Sequence, residues 1–236
     1  MAAATMTFMT YLQKGDHLIT FHDIYGANYK VSLILEKFGV EITWLDAWNY
    51  QKVQDNIREN TKMVFCETPT NPLIKVIDIK YLREQADRAG AMLVVDNTFA
   101  TPYHQKPLEL GADLIIHSAT KALGGHNDLM AGAIACSTKD YYDKLWFTRQ
   151  AIGTTLDAFS ASLLERGLKT FEIRAQKMSE NALKIAGFLK NHPKIKDIYY
   201  PGIETDPGYK VALKQMKNGF GGMLAFQVQV TFEFVA

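Results

Sequence analysis

Lys121 is the residue of this sequence best placed to act as a nucleophile. It closes the run Leu114-Ile115-Ile116-His117-Ser118-Ala119-Thr120-Lys121, and Gly124-Gly125 follows. The spacing predicts a buried strand over Leu114 to Ile116, after which Ser118 and Thr120 alternate onto one side, where paired hydroxyls can grip an anion. A lysine amine attacks carbonyl carbons once partial burial or a cationic neighbour lowers its pKa, and glycines just beyond it let another group approach the backbone. A surface lysine before a Gly-Gly turn explains the same residues equally well, so a second group has to decide. That group is Asp96. The apolar run Ala91 to Val95 predicts a strand ending in Asp96-Asn97-Thr98, and ligands of α/β sheets sit beyond the carboxyl ends of strands.

An acid at the end of one strand and an amine at the end of the next are what a pyridoxal phosphate site most needs. The amine forms an imine with the cofactor's aldehyde, and the acid keeps the pyridine nitrogen protonated so that the ring accepts electrons. Ser118-Ala119-Thr120-Lys121 with Gly125-His126-Asn127 resembles the cofactor-lysine signature of the pyridoxal-phosphate enzymes of cysteine and methionine metabolism. These include cystathionine gamma-synthase, cystathionine gamma-lyase, homoserine-ester sulfhydrylases and methionine gamma-lyase. The similarity extends through Asp23-Ile24-Tyr25-Gly26, Glu67-Thr68-Pro69-Thr70-Asn71-Pro72, Val95 to Phe99 and Arg166 to Thr170, and so from Met1 to about Val228.

The resemblance implies a three-layer α/β/α, mostly parallel sheet of the fold-type I pyridoxal-phosphate transferase kind, with the start of a smaller α+β C-terminal domain. Residues 1–155 would be the cofactor domain, 156–192 connecting helices and 193–236 the beginning of the second domain. It further implies that Lys121 carries the cofactor and moves protons, that Asp96 pairs with the pyridine nitrogen, and that Ser118 and Thr120 hold the phosphate. Tyr25 would stack on the ring and assist the leaving group, and Asn71 would bond near the phenolic oxygen. The chain looks cut at both ends. The serine-glycine phosphate loop is missing, so that only the Met1 backbone stands in for it, and so is an arm offering a tyrosine and an arginine to a neighbouring subunit. The arginine for the substrate carboxylate is not found after Val228, and Gln229 to Ala236 departs from the family pattern.

The chemistry implied is loss or exchange of the gamma substituent of a small amino-acid substrate, of the cystathionine gamma-synthase or gamma-lyase type. An O-acetyl- or O-succinylhomoserine sulfhydrylase is the next reading, and an inactive truncated paralogue that keeps only the fold is the rival from another class. Methionine gamma-lyases carry a reactive cysteine after the Tyr-Gly pair; Ala27 stands there and argues against that activity.

Apolar periodicities place these groups on alternating elements. Helices are predicted over Met1 to Leu12, Asn28 to Phe38 closed by Gly39, a polar stretch Tyr50 to Glu59, Ile79 to Ala89 closed by Gly90, and Lys139 to Gln150. Two more, Phe159 to Thr170 and Ile173 to His192, are broken near Gly167. Strands are predicted over Leu18 to Phe21, Glu41 to Leu45, Lys62 to Cys66, Met92 to Val95, Met130 to Cys136, Ile195 to Tyr200 and Met223 to Val230.

With 26 basic and 25 acidic residues in 236, the net charge of +1 gives no electrostatic case for nucleic acid or a membrane surface. The apolar start has no basic leader and no span long enough for a membrane. Cys66 and Cys136 read as buried thiols of a reduced, cytoplasmic protein rather than as a disulfide scaffold. No pairing of the six histidines with them has zinc-site spacing. A homodimer or homotetramer is implied by the resemblance, whose sites lie at subunit interfaces.

Overall fold

A computed structural model describes residues 1–229. His17–Phe21 (β1), Glu41–Leu45 (β2), Thr61–Glu67 (β3), Met92–Asp96 (β4), Leu114–Ser118 (β5) and Gly132–Cys136 (β6) form one sheet in the order β2-β1-β3-β4-β5-β6. Neighbours from β2 to β5 run parallel, while β6 pairs antiparallel with β5 at the edge. The inner strands are apolar without alternation because both faces are covered: every residue of β1 and β4 is buried.

Helices α1 (Ala2–Tyr11), α2 (Gly26–Lys37) and α5 (Lys139–Ile152) cover one face, where Phe8, Leu18, Leu35, Phe65, Val94, Leu114 and Leu145 share a core. Phe8 and Phe65 meet edge to face at 5.1 Å, both fully buried, and side chains of this size stabilise by roughly 1.5–3 kcal/mol each when removed from water. Helix α3 (Ile79–Ala89) covers the other face with Ile79, Leu82 and Ala86 against Ile19, Val64, Leu93 and Val95. It forms where the sequence predicts: the Asp78 carboxylate accepts from the Tyr81 amide at 3.1 Å, and Gly90 closes it in the left-handed conformation at φ 61°. The mostly parallel, three-layer architecture is therefore as expected.

Between β1 and β3 the chain order reverses, since β1 is followed by β2 on one side while β3 leads to β4 on the other. The crossovers part there and leave a crevice beyond the carboxyl ends of the strands.

Two expectations need correction. The polar stretch expected as a helix over Tyr50 to Glu59 instead forms 3-10 turns over Ala47–Asn56, non-helical at Asn49, with only Ala47 and Val53 buried. A segment with so few apolar side chains has no stripe to hold an α-helix on the sheet. Gly167, read as a helix breaker, lies inside α6 (Ala158–Leu168); the chain breaks only at Lys169 and Thr170, before α7 (Phe171–Lys190). A Cβ on Gly167 would collide with the Gly124 carbonyl, so glycine is there for close approach.

Short elements unpredicted by periodicity are α4 (Thr101–His104), a 3-10 turn over Pro107–Leu110, and α8 (Tyr209–Gln215). β7 (Ile195–Tyr199) and β8 (Ala225–Val228) form a separate antiparallel pair. β8 begins later than expected, and Val230 lies outside the described residues, as does most of Gln229 to Ala236. Helix α8 packs back on the large sheet's side: Ala212 and Met216 share a small core with Val76 and Ala100. Cys66 is buried, Cys136 half-buried, and both are free. No helix of the described residues is long and apolar enough to cross a membrane.

Candidate active site

A cavity of about 810 Å3 opens at the carboxyl ends of the strands and is lined by Met1, Tyr25, Asn71, Asp96, Ser118, Thr120 and Lys121. Every residue singled out from the sequence thus reaches one space. Tyr25 follows β1 as the N-cap of α2, Asn71 lies in the proline-rich loop after β3, and Asp96 ends β4. Ser118 ends β5, and Thr120 and Lys121 stand in the turn behind it. Met1 is the N-cap of α1, and Met1 and Ala2 at the start of that helix line the cavity.

Asp96 is 8% exposed, and its Oδ1 accepts from the Thr98 amide at 3.0 Å and the Thr98 hydroxyl at 2.6 Å. The Thr98 Oγ1 in turn accepts from the Ser118 amide at 2.8 Å, tying the end of β4 to the end of β5. Burial raises the Asp96 carboxyl above its usual range, against the pull of the Thr98 bonds and the Asn28 side chain, which favour the anion. Beside it stands Glu67, the register partner of Asp96 across β3 and β4, 3% exposed and lining the same cavity. Burial, then the neighbouring Asp96, push Glu67 well above the carboxylate range.

The lysine turn is held from behind. Its amides close on the chain at Lys121 to the Ser118 carbonyl, 3.1 Å, and Gly125 to the Lys121 carbonyl, 2.8 Å. Arg174 of α7 donates to the carbonyls of Ala122 at 2.7 Å, Leu123 at 3.3 Å and Gly167 at 2.7 Å. Its guanidinium lies where a Cβ of Gly125 would be, and Gly125 has φ 77°, so this turn requires glycine twice over.

Two expectations change in detail. Lys121 is exposed rather than partly buried. Thr120 accepts from the Ala131 amide at 3.0 Å and donates to the Ala131 carbonyl at 3.3 Å, so its hydroxyl is already engaged. The Ser118 hydroxyl has no protein partner among the described residues, and Ser118 lines the cavity.

Glu67, Thr98 and Arg174 are the residues missed from sequence. Glu67 carries the same signal that marked Asp96, an acid ending an apolar strand, and Thr98 the Asp-x-Thr spacing of a local carboxylate turn. Arg174 had no signal, because its partners lie 52 and 51 residues away. A second cavity of about 660 Å3, among Met6, Ile134, Trp146 and Arg149, contains no lysine.

A lysine amine, a buried acid, a hydroxyl without a protein partner, an exposed tyrosine ring and a helix N-terminus around one space suit an aldehyde cofactor with a basic ring nitrogen and an anionic tail. Pyridoxal phosphate has those three features. The chain belongs to the Cys/Met metabolism PLP-dependent enzyme family, whose profile matches residues 1–235. It is 43% identical over 229 residues to cystathionine gamma-lyase of Bacillus subtilis (strain 168), covering 97% of this chain and 60% of that protein. It is also 43% identical over 237 residues to L-methionine gamma-lyase of Fusobacterium nucleatum subsp. nucleatum, covering 99% and 60%. Among solved structures, cystathionine gamma synthase from Xanthomonas oryzae pv. oryzae, in complex with aminoacrylate and cysteine, superposes with a TM-score of 0.95 at 36% identity, covering 99% of this chain and 60% of that one. The chain spans about 60% of the length of these relatives.

Proposed function

We propose that this chain carries the cofactor site of a pyridoxal-phosphate enzyme that works at the gamma carbon of sulfur amino acids or homoserine esters, with cystathionine gamma-synthase or gamma-lyase chemistry. The observation that carries the reading is the convergence of Lys121, Asp96 and Tyr25 on one cavity at the reversal of strand order. The cofactor supplies a ring that takes up the electron pair left when the substrate's α proton departs. Asp96, favoured as an anion by Thr98, would hold a proton on the ring nitrogen. Ser118, the Met1 end of α1 and the Thr120 turn would hold the phosphate, Asn71 would bond near the phenolic oxygen, and Tyr25 would cover the ring and assist the leaving group. Lys121 would bind the cofactor, then carry protons between the α and β carbons and Nζ. Ala27 in place of the cysteine of methionine gamma-lyases is the reason to favour the cystathionine reactions.

The same reading assigns residues 1–155 to the cofactor domain, 156–192 to connecting helices and 193–236 to the start of a second domain, in keeping with the separate β7 and β8 pair. It also assigns a homodimer or homotetramer in the cytoplasm, for which the free cysteines are suited. The test is to add pyridoxal phosphate, reduce with borohydride and find the pyridoxyl mass by peptide mass spectrometry. We expect it on the Lys121 peptide; its appearance on another lysine refutes the assignment. Keto-acid and sulfur products from O-succinylhomoserine, O-acetylhomoserine, cystathionine and methionine then separate the reactions.

A further inference from the structure

We propose that Glu67 is a positioning residue of this site: its carboxyl, standing beside Asp96, clamps the backbone amide of Tyr25 and so fixes the ring that faces the cofactor. The inference rests on the cofactor reading above. Its basis is the sheet itself. Glu67 and Asp96 are register partners on adjacent parallel strands, which lie about 4.8 Å apart with paired side chains on one face. Both are buried, and both line the cavity. Glu67 Oε2 accepts from the Tyr25 amide at 2.7 Å.

The Tyr25 carbonyl is bonded locally, accepting from the Asn28 and Tyr29 amides at 2.7 and 3.2 Å, whereas its amide is held from another strand, by Glu67. Tyr25 is 50% exposed, and its own side chain makes no capping bond to α2. Earlier in the loop, the His22 amide donates to the Leu45 carbonyl at 2.9 Å, and Asp23 accepts from the Ala47 amide at 3.3 Å and meets the buried Lys75 Nζ at 3.0 Å. Glu67 and Lys75 thus pin the segment from β1 to α2 at both of its ends, and Glu67 is the pin that touches Tyr25.

Two adjacent acids withdrawn from water do not both ionise. Asp96 receives an amide and a hydroxyl from Thr98, whereas Glu67 receives one amide, so the anion belongs on Asp96 and the proton on Glu67. A neutral Glu67 still accepts from Tyr25 through its carbonyl oxygen, and its O–H is free to donate toward Asp96. The pair then presents a single negative charge, on the residue that faces the ring nitrogen.

Glutamine reproduces this arrangement, with an acceptor for Tyr25 and an N–H donor for Asp96; methionine keeps the volume and removes both. Hydrogen exchange of the Tyr25 amide is measured on the chain without cofactor for the native residue, Glu67→Gln and Glu67→Met, and pyridoxal phosphate affinity is measured by absorbance titration. In Glu67→Met we expect Tyr25 exchange faster by about tenfold and affinity weaker by about tenfold, the size of one hydrogen bond. Glu67→Gln should stay within about twofold of native in both. Unchanged Tyr25 exchange in Glu67→Met overturns the clamp, and a Glu67→Gln as impaired as Glu67→Met overturns the neutral acid. If borohydride labels no Lys121 in the native chain, the cofactor reading fails, and the exchange result alone still decides the clamp.

Discussion

At the scale of single residues, Asp96 and Ser118 make the sharpest demands. Asp96→Asn keeps the size and the Thr98 contacts but cannot hold a ring nitrogen protonated. We expect cofactor affinity to fall about tenfold, the loss of one charge-assisted bond, and turnover to fall further. An absorbance titration with unchanged affinity would remove Asp96 from the site. The two hydroxyls should behave differently. Ser118→Ala removes a group with no protein partner and should weaken cofactor binding by about 0.5–1.5 kcal/mol with the melting temperature unchanged. Thr120→Ala breaks the bonds to Ala131 at 3.0 and 3.3 Å and should lower the melting temperature of the cofactor-free chain. At this scale the sequence was legible where a polar residue ended an apolar run, as Asp96 does, although Glu67, which ends β3 in the same way, was passed over. Thr120's engagement with Ala131 was hidden, because a partner brought by the edge strand leaves no local trace.

At the scale of elements, α6 and α7 are the backing of the lysine turn. Gly167 touches the Gly124 backbone, and Arg174 closes the turn's carbonyls. Gly167→Ala forces a methyl group into a packed backbone contact and should destabilise by about 1–3 kcal/mol. Urea unfolding measures this, and an unchanged midpoint would mean that the helix slides without consequence. Because the same contact backs the turn, borohydride labelling of Lys121 should fall as well. Element boundaries were readable where a cap sits next to an amphipathic run: α3 between Asp78 and Gly90 is the clearest case. They were unreadable where glycine serves packing rather than flexibility, as at Gly167, and where short 3-10 turns carry no stripe, as at Ala47–Asn56.

For the molecule as a whole, buried histidines set the acid limit. Burial, then the nearby Arg58, pushes His17 down to about 4 from 6.5, and its ring nitrogens are bonded to the hydroxyls of Thr61 and Thr43 at 2.8 and 2.9 Å. Burial alone pushes His117 down to about 4. The unfolded chain takes these protons first, so the stability they contribute is complete above about 6.5 and is lost as pH falls through the window down to about 4. The raised carboxyls of Glu67 and Asp206 act with the opposite sign, losing stability as pH rises above the ordinary carboxylate value. Comparing the native chain with His117→Gln isolates the histidine: the fall of the urea midpoint over that window should be shallower in the variant. An identical slope would show that His117 is not neutral in the fold. The order of layers was legible from alternating patterns, whereas the return of α8 onto the large sheet was not, since it depends on a few buried amides far apart in the chain.

Those amides have a mechanical consequence. Gln105 donates to the Thr68 carbonyl at 2.9 Å and to the Asn97 side chain at 2.8 Å, while its oxygen accepts from Gln215 of α8 at 3.0 Å. Asn97, next to Asp96, donates back to the Gln105 carbonyl at 2.9 Å. Gln105 is therefore a keystone with both N–H groups committed: turning its amide over would pit donor against donor and acceptor against acceptor on three sides at once. The wall behind Asp96 cannot yield piecemeal, and the acid is aimed before any ligand arrives.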